Sequence, residues 1–440
     1  MQSSQQGNKH EGGTGLRSDR GGKAMILRDI IKSAGGAMAD FTVMSGLTDP
    51  YRIDTVANHR DGKWVAQAFA AGKLTVIHCR GLHYTIVSLP DLIKPNGKPY
   101  LNSFGDWVWL QRVVGYARWL GYLDFDAITD ERNAGPELWL PPTYASSGIQ
   151  IEHDANDLGW QVGLPQVRVK CQPPHARQAY KLVLIGEKSS LRGVLQPLCQ
   201  RYEAELVLPT GELSTTLLYG IVSRAADDGR PCRVFYLSDF DPTGLHMPVE
   251  VSRKMQALCD FKFAGLDIEL HRCALLADQV KELGLPETPM KATEKRAGKW
   301  RERFQCEQTE IDALATLQPD ILGEIVETAL KPYFDPTLQK RQRLAYESAA
   351  TEIWSRVDDA IEPFRDEIEV VQELIDTAAE KLAAAYEFAK PLFEQIVQSI
   401  EYTKPQPVEA ELDSTAFPVP MFSSLNSFVE TTVALLGEKL

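Results

Sequence analysis

Tyr180-Lys-Leu-Val-Leu-Ile-Gly-Glu187 and Tyr236-Leu-Ser-Asp-Phe-Asp-Pro-Thr-Gly244 are the two stretches on which the fold turns. The first is a short, continuous apolar run that ends on acid, the pattern of a strand buried on both faces of a parallel sheet, and the second carries the end of another such run into an acidic turn. Val207 and Arg233–Ser238, the latter running into the second stretch, make three candidate strands with the Tyr180 run, and the stretches near 190–203 and 213–226 between them have helical periodicity. Strands alternating with helices predict an α/β sheet with right-handed crossovers. Glu187 falls just past the first strand, and Asp239 and Asp241 just past a later one. Open parallel sheets hold their ligands beyond these strand ends. Carboxylate oxygens are hard ligands suited to Mg²⁺. Two residues apart on an extended segment, Asp239 and Asp241 can face one ion while Phe240 points into the core.

Upstream, residues 25–145 show helical periodicity in several pieces, clearest at Asp106–Leu120, where Trp107, Leu110, Val114, Ala117 and Leu120 form a stripe. Leu92–Pro99 carries turn residues, and Ala127–Pro141 could form a short hairpin. Helix, turn, helix and hairpin suggest a winged helix. The expected order is a disordered leader over 1–24 and a winged-helix domain over 25–170. A Pro-rich linker at Cys171–His175 then leads to an α/β domain over 176–338. Residues 339–402, rich in Ala, Glu and Leu and broken by Pro363 and Pro391, predict one or two long helices. Residues 403–440 read as a linker, with four prolines by Pro420, and a short helix at Ser424–Leu436.

Over 440 residues, 44% hydrophobic and 24% charged, the chain can bury a core. Its net charge of −13 argues against nucleic acid as a partner, but Lys340–Leu440 holds 19 acidic and 9 basic residues, so what precedes it is nearly neutral. Seven scattered cysteines suggest reduced thiols rather than a disulfide framework or zinc site. No run approaches the roughly 18 to 20 apolar residues of a membrane span, and no signal-peptide pattern opens the chain, so a cytoplasmic location and no membrane partner are expected.

Leu184-Ile-Gly-Glu-Lys-Ser and Tyr236-Leu-Ser-Asp-Phe-Asp-Pro-Thr-Gly resemble the Toprim module of topoisomerases, primases and some nucleases. The Asp-x-Asp-Pro-x-Gly form is most similar to the A subunit of topoisomerase VI and its meiotic double-strand-break relative. Glu307-Gln-Thr-Glu-Ile-Asp-Ala-Leu is similar to that family's Lys-x-Glu-Ile-x-Ala-Leu segment. The resemblance implies that Asp239 and Asp241 hold Mg²⁺, with Mn²⁺ able to substitute, and that Glu187 assists metal binding or proton transfer. It also implies a catalytic tyrosine in an upstream winged helix. Cys79-Arg-Gly-Leu-His-Tyr-Thr85 resembles the family's Arg-(Asp/Glu)-x-Tyr-Tyr motif, with Tyr84 in the nucleophile's place and Gly81 where the acid would stand. Arg80 and Tyr84, four apart, share a helical face, so the guanidinium can hold a phosphate oxygen beside the phenol. A tyrosine with pKa near about 10 needs a base or cations nearby, which Arg80, His83 and the metal could supply.

The expected function is therefore Mg²⁺-dependent cleavage of double-stranded DNA by tyrosine transesterification, as in a type IIB topoisomerase A subunit, nucleoid-associated and with religation possible. Family precedent implies a homodimer, the tyrosine of one copy working against the metal of the other, and an ATPase B-type subunit as a possible partner. A P-loop order is absent from the chain, so no ATP site is expected in it. Two other functions fit the same residues: a Toprim nuclease that hydrolyses DNA with metal and water, in defence or plasmid exclusion, and a non-catalytic DNA-binding or bridging component. Arg112, Arg118 and Arg132, interleaved with aromatic residues, are candidates for a DNA-facing helix and wing, and Lys291–Arg303 is the densest basic stretch.

Overall fold

A computed structural model describes residues 44–90, 92–133, 135–139, 148–153 and 167–399. The expected leader, the 403–420 linker and the terminal helix fall outside them. In chain order the elements are α1 Val56–Ala71, β1 Ile77–His78, α2 Cys79–Ser88, α3 Phe104–Trp119, β2 Ile128–Thr129, β3 Gly148–His153, β4 Val167–Gln172 and β5 Lys181–Gly186. There follow α4 Arg192–Tyr202, β6 Glu205–Val207, α5 Thr215–Asp228, β7 Cys232–Leu237, α6 Pro242–Phe261 and β8 Ile268–Ala274. The remainder is helical: α7 Ala277–Leu283, α8 Ala297–Phe304, α9 Ile311–Leu317, α10 Pro319–Leu330, α11 Leu338–Ile361 and α12 Arg365–Ser399. The described residues divide into two compact units, within Met1–Gln150 plus Lys170–Glu352 and within Ile151–Val169 plus Ile353–Leu440. None of the described helices is long and apolar enough to cross a membrane.

The first unit is mixed α/β around a four-stranded parallel sheet in the order β6-β5-β7-β8. Strands β5, β6 and β7 are buried on both sides because both sides are covered, whereas edge strand β8 carries Glu269, His271 and Arg272. Val183, Ile185, Val207, Val234 and Tyr236 belong to one hydrophobic cluster with residues of α5 and α6; Leu182, Leu184, Leu206, Phe235 and Leu237 belong to another with α4, α9 and α10. The first cluster also takes in the buried stripes of the N-terminal helices, including Val65 and Phe69 of α1, Leu82 of α2 and Leu110 and Val114 of α3. Phe125 stacks on Tyr219 with ring centroids 4.8 Å apart, Thr216 Oγ1 donates to the Ile128 carbonyl at 3.0 Å, and buried Asp49 pairs with Arg253 at 3.2 Å. The helices that carry Tyr84 and the sheet that carries the acids thus share one core.

Caps set the helix starts. Thr55 accepts from the Asn58 N–H at α1, the His78 ring from the Gly81 N–H at α2, and Ser103 from the Asp106 N–H at α3. The turn expected within Leu92–Pro99 is present, closed by an antiparallel bridge between Ile93 and Pro99. The expected hairpin over Ala127–Pro141 is corrected in its described residues. Ile128–Thr129 pairs in parallel with Ile77–His78, and Glu137 exchanges both backbone hydrogen bonds with Leu206. Backbone groups in this segment find partners in other elements, and residue 137 covers the free side of edge strand β6. Long helices stand where 339–402 predicted them: a 3₁₀ turn at Glu362–Phe364, around Pro363, separates α11 from α12, whereas Pro391 lies inside α12.

Candidate functional site

Strand register brings the acids together. Gly186 of β5 lies opposite Leu237 of β7, so Glu187 and the Ser238–Asp241 segment leave the sheet side by side at its C-terminal edge. The Glu187 N–H donates to the Leu237 carbonyl at 3.0 Å, and Glu187 Oε2 accepts from the Asp239 N–H at 3.0 Å. Asp241 caps α6, its Oδ1 accepting from the Gly244 N–H at 2.5 Å, where the helix dipole favours a negative charge. Gly244 has no alternative here: a Cβ would lie 2.1 Å from the Asp239 carbonyl oxygen. Phe240 turns inward, as its alternation predicts, against Trp300 at 4.8 Å and Phe304 at 5.1 Å.

The segment Glu307–Leu314 docks onto this turn. Phe240 and Thr309 exchange two backbone hydrogen bonds at 2.8 and 3.0 Å, and the Ile311 N–H donates to Asp239 Oδ1 at 2.8 Å. Docking delivers Glu310 and Asp312, which sequence reasoning had not singled out, beside Lys188. The Lys188 ammonium lies 3.0 Å from Asp239 Oδ2, 3.1 Å from Glu310 Oε2 and 3.1 Å from Asp312 Oδ2. Ser190 hydrogen-bonds Asp312. The signal was in the sequence, since Glu310-x-Asp312 has the spacing of Asp239-x-Asp241 and Lys188 adjoins Glu187.

Burial dominates the electrostatics. It raises the Glu187 carboxyl above the usual range, with the Asp239 and Asp241 charges adding to it and the Asp239 N–H and Lys188 opposing it. Asp239, 8% exposed, is raised by burial too, despite the Ile311 N–H and Lys188. Burial would lower Lys188, but Asp239, Asp312 and Glu310 outweigh it and keep the ammonium more strongly protonated than usual.

In kind, these oxygens fit a hard divalent cation. In their folded positions they are turned to N–H groups and to Lys188, and no three His, Cys, Asp or Glu side chains among the described residues stand close enough to hold a metal ion. Mg²⁺ demands oxygens at about 2.0–2.1 Å, whereas the three carboxylates around Lys188 are spaced for a larger cationic head at 3.0–3.1 Å.

Tyr84 is 50% exposed on α2. Arg80 Nη2 donates to its hydroxyl at 3.2 Å, and the guanidinium lies 5.1 Å from the Tyr84 ring centre and 4.8 Å from that of Trp107. Gly81 is set by packing, because a Cβ there would lie 2.8 Å from the Ile77 side chain. His83 does not serve the phenol as the sequence suggested. It is 1% exposed, with Nδ1 2.6 Å from the Tyr100 hydroxyl and Nε2 3.1 Å from Asn102 Oδ1. Among the described residues, hydrogen bonds and ion pairs join Arg80 to Tyr84 and Glu187 to Asp239, and none joins the two groups.

Of the proposed DNA-facing arginines, Arg112 and Arg132 are exposed, but Arg118 is corrected. It is 6% exposed, packs over the Phe125 ring and donates to the Phe125 carbonyl at 2.8 Å. Lys291, Lys295, Lys299 and Arg303 are exposed. Arg296 ties their stretch to the acidic turn, donating to the Pro242 carbonyl at 3.0 Å and Thr243 Oγ1 at 2.9 Å.

No protein-family model matches the chain, and no curated protein does.

Proposed function

We propose that this chain cleaves double-stranded DNA as a winged-helix and Toprim protein of the topoisomerase VI A kind, acting as a homodimer. The observation that supports this best is the pairing of Glu187 with Asp239 at the ends of adjacent parallel strands, in a chain that also presents an exposed phenol hydrogen-bonded to an arginine. Mg²⁺, with Mn²⁺ as substitute, would supply charge neutralisation at the phosphate once Glu187, Asp239 and Asp241 turned to it from their present N–H and Lys188 partners. Arg80 orients a phosphate oxygen beside the phenol and stabilises the phenolate. The Tyr84 hydroxyl gives up its proton to solvent as its oxygen bonds to phosphorus, the bond from phosphorus to a deoxyribose oxygen breaks, and that oxygen takes a proton from Glu187, whose carboxyl burial makes easier to protonate. A phosphotyrosyl end results, and reversal of the step would religate the strand. The exposed cations of 291–303 would follow the phosphate backbone.

Supercoiled plasmid incubated with the chain and Mg²⁺, then quenched in denaturant, should yield protein-linked ends. Tyr84→Phe should abolish the linkage, and Arg80→Ala should lower its rate by about 10²-fold or more. The Glu187–Asp239 pairing, which needs no phenol, suits a second reading, hydrolysis by metal and water. Undiminished cutting by Tyr84→Phe with no protein-linked end would establish it. DNA binding without any cutting in Mg²⁺ or Mn²⁺ would leave a bridging role.

A further inference from the structure

We propose that Lys188 is a built-in cation that competes with divalent metal for Asp239, so that metal enters the acidic centre as a DNA phosphate draws the ammonium away. The inference rests on the metal-dependent reading above and adds to it a coupling between metal and substrate.

An ammonium has three donors and no acceptor, and Lys188 meets three carboxylates, Asp239, Glu310 and Asp312, at 3.0, 3.1 and 3.1 Å. These acids are not gathered by the lysine alone. Glu310 and Asp312 arrive on a segment that Phe240 and Thr309 fix through backbone hydrogen bonds, and Asp239 Oδ1 is held by the Ile311 N–H. The ammonium therefore sits in a preformed acidic cup. Its Asp239 contact is the bond a metal must break, because Asp239 cannot turn Oδ2 to an ion at about 2.1 Å while holding Lys188. Glu187 and Asp241 act on the same centre, and Arg296, held at Pro242 and Thr243, is the other cation there, already paired with Glu294 at 2.8 Å. Five carboxylates facing two side-chain cations favour a further positive charge, but only at an oxygen Lys188 has released. A phosphate offers the ammonium a new anionic partner. By linkage, DNA must then strengthen metal binding by the factor with which metal strengthens DNA binding.

The test is Mn²⁺ binding to the full chain, followed by the spin-resonance signal of free Mn²⁺. Lys188→Met, similar in length but neutral, should bind Mn²⁺ about tenfold more tightly than the wild type, and Lys188→Arg should not. A short duplex should tighten Mn²⁺ binding several-fold in the wild type and much less in Lys188→Met. Equal or weaker binding by Lys188→Met overturns the proposal. If binding is equal in both proteins and is lost in Asp241→Asn, the metal reading survives alone; if neither protein binds Mn²⁺, both fall. Should Lys188→Met fail to fold, amine labelling of the wild type read by mass spectrometry decides. Millimolar Mn²⁺ without DNA should increase modification of Lys188 relative to exposed Lys295, and unchanged labelling at saturating Mn²⁺ overturns the proposal.

Discussion

Glu187 is the residue at which folding and the proposed chemistry oppose each other. Its carboxyl is raised by burial and by neighbouring acids, so between its ordinary and its folded pKa the native state binds more protons than the unfolded chain. Stability contributed by this group is therefore present at low pH and lost as pH rises through the folded value. Glu187→Gln, neutral throughout, should raise the melting temperature at pH 8, and by less at pH 4, while lowering cleavage by about 10²-fold or more. A melting temperature unchanged at both pH values would show that the carboxyl is not strained by its site.

Among the elements, the Glu307–Leu314 segment and the turn after β7 depend on each other. Phe240 is the pin between them, 2% exposed and edge-on to Trp300 and Phe304. Phe240→Ala should cost about 3–5 kcal/mol in urea unfolding and make the backbone amides of 309–311 exchange faster, because Thr309 and Ile311 donate to this turn. Much of this region could be read in advance. Apolar runs located β5 and β7, and the acid after each run located the sheet edge that carries the centre. The cup around Lys188 was harder to foresee, since it depends on a segment about 70 residues downstream of Asp239 returning as a bridge one residue long. Pairing that short leaves no periodicity. Arg118 misleads for a related reason: a cation one position from a buried stripe looks solvated until it is found packed over the Phe125 ring and donating from Nη2 to the Phe125 carbonyl. The sequence points Glu137 to a local hairpin because alternation does not reveal which strand a segment joins.

Across the first unit, the N-terminal helices and the sheet are fastened by apolar packing and by one buried ion pair. Asp49→Ala would leave Arg253, itself nearly buried, without its carboxylate partner and should destabilise the chain by about 3–5 kcal/mol. If unfolding remains a single transition, the shared core is what joins the two parts; separate melting of residues 44–139 would show that it is not. Neutralising Lys291, Lys295, Lys299 and Arg303 together should weaken DNA binding and flatten its dependence on salt by up to about four counterions, while changing the melting temperature little. The shared core also has a mechanical consequence. A body whose phenol-bearing helices and acid-bearing sheet are set in the same interior has no joint between them to swing on. If two copies cleave a duplex as proposed, its broken ends would separate only as the copies themselves part.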